Sequence, residues 1–160
     1  MRRTSDVRRI SHRNMERSEY IEFILDHYNN PRNQGPLADP DILVNGGNPG
    51  CGDVVTMYVK VDESDHVTDV KFEGRGCTIS MAGASIITEM VMGKTLKEIE
   101  EMPYTPLIDQ MGEDVVKSRL RCATLGVDTL KGAAREYPSR KILGQKLIQP
   151  IVLAHTLTTD

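Results

Sequence analysis

The chain contains no Trp and only 2 Phe and 5 Tyr among its 160 residues. Its core must therefore be built from Ile, Leu, Val, Ala and the 8 Met. No apolar run approaches the ~18 residues of a membrane span, and no signal-peptide h-region is visible, which excludes a membrane-spanning helix and points to a cytoplasmic protein. The 3 cysteines are an odd number, and none pairs as CxxC, so no disulfide framework is expected. In a compartment that keeps thiols reduced, such cysteines serve a metal, a cofactor or thiol chemistry. The 4 histidines (His12, His27, His66, His155) are scattered and form no ligand cluster.

Hydrophobic residues make up 39% of the sequence, an ordinary globular content for one domain with a real core. The formal net charge of -3 is unevenly spread. Residues 1–17 hold six Arg against Asp6 and Glu16, a surplus of four positive charges that leaves the rest of the chain seven negative. This basic stretch has no apolar periodicity and is expected to be a disordered extension. A basic arm can bind nucleic acid or an acidic partner, and an Arg- and Ser-bearing start can resemble an organellar transit peptide, but the disordered extension is the reading preferred and nucleic acid is not an expected partner.

Apolar spacing predicts an amphipathic helix from Ser18 to about Asn29, with Ile21, Ile24, Leu25 and Tyr28 on one face and Pro31 at its end. Residues 30–35 read as a turn, and Ile42-Leu43-Val44 as a short strand. From Val54 to Val61 the pattern alternates, with Val55, Met57, Val59 and Val61 on one face. Val67 to Phe72 places Thr68, Val70 and Phe72 on one face, and Asp62–His66 between them makes an antiparallel hairpin. Helices are expected from about Thr78 or Ser80 to Met92, then up to Met102 behind a Thr95/Glu98 capping box, and from Cys122 to Tyr137 before Pro138. Ile142–Ile148 reads as a weak amphipathic segment. The expected fold class is α+β, a small antiparallel three-stranded sheet with helices packed on it. The expected organisation is an extension over 1–17, a domain over 18–138 and a helical tail over 139–160.

The stretch Asn45-Gly46-Gly47-Asn48-Pro49-Gly50-Cys51-Gly52-Asp53 packs four glycines around a thiol and a carboxylate two residues apart. In extended backbone such side chains point the same way and can face one bound atom. A tight turn with a buried cysteine is the plainer reading of the same residues. Cys77 and Cys122 each stand at a predicted helix start, where the helix dipole favours a thiolate. If the three loops converge, Cys51, Asp53, Cys77 and Cys122 make a donor set suited to Zn²⁺ or to a 2Fe-2S cluster with one oxygen ligand. Their spacing matches no zinc-finger pattern.

Asn48-Pro49-Gly50-Cys51-Gly52-Asp53, Gly76-Cys77-Thr78-Ile79-Ser80 and Arg121-Cys122-Ala123-Thr124-Leu125, with His27-Tyr28-Asn29-Asn30-Pro31-Arg32-Asn33 upstream, resemble the U-type iron–sulfur cluster scaffold family (IscU, SufU and the N-terminal domain of NifU). The resemblance spans about residues 19–137 in the same order. It implies a scaffold that accepts sulfur from a cysteine desulfurase, assembles a 2Fe-2S cluster and transfers it to apo-proteins. By motif, Cys51, Cys77 and Cys122 are the ligand cysteines and Asp53 the labile ligand. Cys122 is the expected persulfide acceptor and the most reactive thiol, since it adds Arg121 to a helix start. Arg121 stands where many scaffold members have His, and the segment between Cys77 and Cys122 is shorter than in SufU-like members. The Leu-Pro-Pro-Val-Lys motif of some scaffolds is absent. The alternative function is a zinc-dependent sulfurtransferase in which the same four residues hold Zn²⁺. A structural zinc module is a third, remoter reading, and a homo-oligomer is compatible with any of them.

Overall fold

The computed structural model describes residues 15–50 and 52–149. The expected extension over 1–17 therefore lies almost wholly outside the described residues, as do Cys51 and the end of the expected tail. Three long strands, β1 (Ile42–Asn48), β2 (Asp53–Val61) and β3 (Val67–Arg75), form an antiparallel meander, as the alternation predicts. A short fourth strand, β4 (Leu147–Ile148), pairs parallel to β1, so the sheet order is β3-β2-β1-β4. The fold class is α+β, with four strands in the sheet where three were expected.

That fourth strand replaces the helical segment read over Ile142–Ile148. Gly144, with φ +70°, reverses the chain, and its amide and that of Gln145 bond back to Lys141 and Arg140. Leu147 is then fully buried, with its amide on the Asp41 carbonyl at 3.0 Å.

One face of the sheet carries Val55, Met57, Val59, Val70 and Phe72, all buried. Thr68 was expected there and is exposed instead. A bulge between Lys60 and Val61 shifts the register so that Val67 faces Val61 and takes the inward place.

Onto this face pack α2 (Thr78–Val91) and α7 (Leu125–Ile142). Helix α1 (Arg17–Asn29) packs on α2 with Ile24 and His27 buried, while Ile21, Leu25 and Tyr28 stay exposed. The turn after α1 does more than reverse direction. The Phe72 amide bonds to the Asn33 carbonyl at 2.9 Å, and the Gly35 amide to the Phe72 carbonyl at 2.8 Å, which ties it to the edge of β3. The Arg32 amide donates to Ser85 Oγ, and Asn33 Nδ2 to Thr88 Oγ1, which ties it to α2 as well.

The capping box at Thr95 and Glu98 starts α3 (Leu96–Glu101) as expected. Two short helices follow, α4 (Thr105–Met111) and α5 (Glu113–Val116). The helix expected from Cys122 to Tyr137 is broken in two. Cys122 lies in a four-residue turn, α6 (Leu120–Ala123), and Thr124 then leaves the helical region with φ -97° and ψ 2°. The Thr124 hydroxyl bonds to the Leu120 carbonyl at 2.8 Å, a local bond that competes with helix propagation. At the far end α7 continues through Pro138 to Ile142. Beyond Pro138, Arg140 pairs with Glu136 and Lys141 reaches Asp65 at 2.6 Å.

Candidate metal centre

Asp53 opens β2 opposite Asn48, the last residue of β1, and both side chains are buried. Between them the chain reverses with Gly52 at φ +72°, its amide on the Asn48 carbonyl at 2.9 Å. A buried carboxylate needs donors, and Asp53 has three: Cys77 N–H on Oδ1 at 3.1 Å, Ser80 Oγ on Oδ2 at 2.5 Å and, more weakly, the Cys77 thiol on Oδ2 at 3.8 Å. Gly76 makes room for it, since a Cβ there would lie 2.7 Å from Asp53 Oδ1.

Cys77 is the N-cap of α2, as expected, with its sulfur accepting from the Ser80 amide at 3.4 Å. Cys122 is brought in from α6, 2% exposed, and Asn48 Nδ2 donates to its sulfur at 3.6 Å. What seats α6 against α2 is Gly83, whose Cβ, if present, would lie 2.6 Å from the Ala123 carbonyl oxygen.

One ligand atom each from Asp53, Cys77 and Cys122 lies within 4.8 Å of the other two. Around a tetrahedral zinc with bonds of about 2.0–2.3 Å, such atoms sit about 3.5–3.8 Å apart. The Asp53 Oδ2 to Cys77 Sγ distance is already 3.8 Å. Among the described residues this is the one group of three or more such ligands, and Cys51, the fourth expected donor, lies outside them.

His27 is buried on Ser85, and His66 pairs with Asp62, so neither joins the group. Arg121 is exposed and lines a cavity of about 420 Å³ with Asn48, Pro49 and Thr124. Ser80 and Asn48 were not anticipated. Their signals were a serine three residues after a helix-capping cysteine and an amide beside the glycine turn.

Burial pushes the Cys77 thiol up, but hydrogen bonds from the Ser80 hydroxyl and amide outweigh it. Asp53 also raises it and Cys122 lowers it, and the net result lies below an ordinary thiol. Cys122, in a single turn, lacks the long-helix N-terminus expected for it. Limiting iodoacetamide on metal-free protein should therefore modify Cys77 before Cys122, with peptide mapping as the readout. Prior modification of Cys122 would show that exposure and helix position do not set the order.

A carboxylate and two thiols held where a hairpin turn, a helix N-terminus and a one-turn helix meet define a metal- or cluster-binding α+β domain. Residues 19–143 match the NifU-like N terminal domain, and the chain belongs to that family. It is 38% identical over 132 residues to the "Iron sulfur cluster assembly protein 1, mitochondrial" of Schizosaccharomyces pombe, covering 81% of this chain and 68% of that one. It is also 38% identical over 125 residues to the "Iron-sulfur cluster assembly scaffold protein IscU" of Azotobacter vinelandii, covering 76% and 96%. A crystal structure from Fervidobacterium islandicum, of a candidate iron-sulfur cluster assembly scaffold for the SUF system, superposes with a TM-score of 0.59 at 32% identity, covering 71% and 94%. The N-terminal part of a NifU-like protein from Brucella abortus shares the fold, with a TM-score of 0.65 at 23% identity and coverage of 78% and 99%. No helix among the described residues is long and apolar enough to cross a membrane.

Proposed function

We propose that this chain is an assembly scaffold that accepts sulfur from a cysteine desulfurase, builds a 2Fe-2S cluster on Cys51, Asp53, Cys77 and Cys122, and passes it to apo-proteins. The observation that carries this reading is the convergence of Asp53, Cys77 and Cys122 within 4.8 Å, in a chain whose relatives are named as iron–sulfur cluster assembly proteins, the Azotobacter vinelandii one as a scaffold. The cluster is cargo, so its ligands must hold and release it. Three thiolates are soft donors suited to iron in a sulfide cluster, and the harder carboxylate of Asp53 is the ligand that exchanges first.

Sulfur arrives at Cys122. Its thiolate attacks the outer sulfur of the donor's persulfide, a new S–S bond forms at Cys122, and the donor cysteine leaves as thiolate with no net change of oxidation state. A cavity lined by Asn48, Pro49, Arg121 and Thr124 lies on the same side of the site, but Cys122 itself is buried and does not line it. Reduction of the carried sulfur to sulfide takes two electrons from ferrous iron or an external reductant. The domain proposed to do this starts near residue 18 and, because α7 runs past Pro138 and β4 pairs with β1, extends beyond the expected boundary at 138 to take in Leu147–Ile148.

The second reading, a zinc-bound sulfur acceptor, is favoured by three donors lying within 4.8 Å of one another, close enough to share a single ion. Protein purified without oxygen should be brown, with visible sulfur-to-iron absorption, and should regain that colour on reconstitution with iron, cysteine and a desulfurase. Cys122→Ser should abolish the persulfide seen by mass spectrometry. A colourless protein holding one zinc, refractory to reconstitution yet still accepting sulfur, would replace the scaffold reading with the zinc one.

A further inference from the structure

The Ser80 side chain is 1% exposed and holds no ligand position, yet its hydroxyl reaches two proposed ligands at once. It donates to Asp53 Oδ2 at 2.5 Å and lies 3.2 Å from Cys77 Sγ. The other carboxylate oxygen is held by Cys77 N–H. With both oxygens fixed, Asp53 has one orientation, and the oxygen bound by Ser80 is the one that faces the Cys77 sulfur at 3.8 Å. A carboxylate oxygen has two lone pairs, so Oδ2 can keep this bond and still coordinate an ion.

We infer that Ser80 is a positioning residue that presents the Asp53 carboxylate to the bound metal. This rests on the scaffold reading only in taking Asp53 as a ligand. Hydrogen-bond partners of ligating groups fix the ligand's orientation, and their loss commonly costs about 10–100-fold in metal affinity. The lability of Asp53 is then set partly by a serine hydroxyl that never touches the cargo. A weaker grip through Ser80 means earlier loss of the carboxylate and an iron opened sooner to a recipient.

The test uses the full chain and Co²⁺ as the metal, which reports its ligands by absorption. Ser80→Ala should keep the fold, because alanine suits the first turn of α2. It should weaken Co²⁺ binding about tenfold and speed its removal by chelator, with altered d–d bands. Ser80→Thr, which keeps the hydroxyl, should restore affinity to within about twofold, and the alanine cycle decides alone if the added methyl is not accommodated. In an Asp53→Ala background the effect of Ser80→Ala should shrink to the part carried by its contact with Cys77 Sγ. An unchanged affinity in Ser80→Ala, or an equal loss with Asp53 absent, overturns the assignment. If the cobalt cycle holds while iron and sulfide never form a cluster, the scaffold reading falls and Ser80 keeps its role. If cluster assembly succeeds without the coupling, only the role of Ser80 falls, and if the wild type takes no Co²⁺ both fall.

Discussion

Gly83→Val is expected to destabilise the protein by about 3 kcal/mol or more and to abolish tight metal binding. The first Cβ alone would sit 2.6 Å from the Ala123 carbonyl oxygen, and this is backbone, with no rotamer to give way. Two further methyl carbons and the restricted rotamers of valine in a helix add to the strain. The relief available is to push α6 off α2, which separates Cys122 from Cys77 and opens the donor set. Urea unfolding followed by circular dichroism, with Co²⁺ titration of the same samples, measures both effects. Wild-type values in both would mean that α6 is not seated by this contact.

Acidification should remove on the order of 3 kcal/mol of stability between about pH 6.5 and pH 4 through one residue, His27. Its ring is buried on α2, with Nδ1 2.8 Å from Ser85 Oγ. Desolvation, then the Arg32 charge, lower its pKa from 6.5 to about 4, against a small opposing pull from Asp26. The folded pKa is depressed, so below 6.5 the unfolded chain takes up a proton that the folded one refuses. Stability from this group is complete above the unfolded pKa, falls as pH drops towards 4 and is then constant. Asp26, Asp39, Asp62 and Glu98 also have lowered values, and with reference values of 3.8 and 4.5 they add to the loss only below about pH 5.5, so the slope above that is the part His27 carries. His27→Gln should flatten the stability profile between pH 6.5 and 4 relative to wild type, and an unchanged slope would assign the proton to another group.

The parts of the fold legible in the sequence are those specified by neighbours along the chain. The alternation of Val55, Met57 and Val59 marks β2, the pair Thr95 and Glu98 marks the start of α3, and Gly76-Cys77 marks the start of α2. What escaped depends on groups distant in sequence. The partner of β4 is β1, about a hundred residues earlier, and two residues of strand carry no periodicity of their own. The bulge at Lys60/Val61 inverts a single face assignment, that of Thr68, and the break at Thr124 turns on one hydroxyl choosing a local carbonyl. Of the expected donors, Asp53, Cys77 and Cys122 meet. The groups that orient them, Ser80 and Asn48, are ordinary polar residues whose meaning comes only from what they face.

The interruption at Thr124 has a thermodynamic side. Cys122 rides on one turn, secured by the Ala123 amide on the Arg119 carbonyl and the Thr124 amide on the Leu120 carbonyl. Swinging this turn outward gives up the Asn48 bond to the Cys122 sulfur and the burial of Cys122 and Ala123, among the contacts that seat it. The eighteen residues of α7 keep their own ladder and their grip on the sheet. A small cooperative unit can thus open far more often than the domain unfolds. The buried thiol gains a route to bulky reaction partners through fluctuations of its own segment, leaving the hairpin, the long helices and the other donors in place.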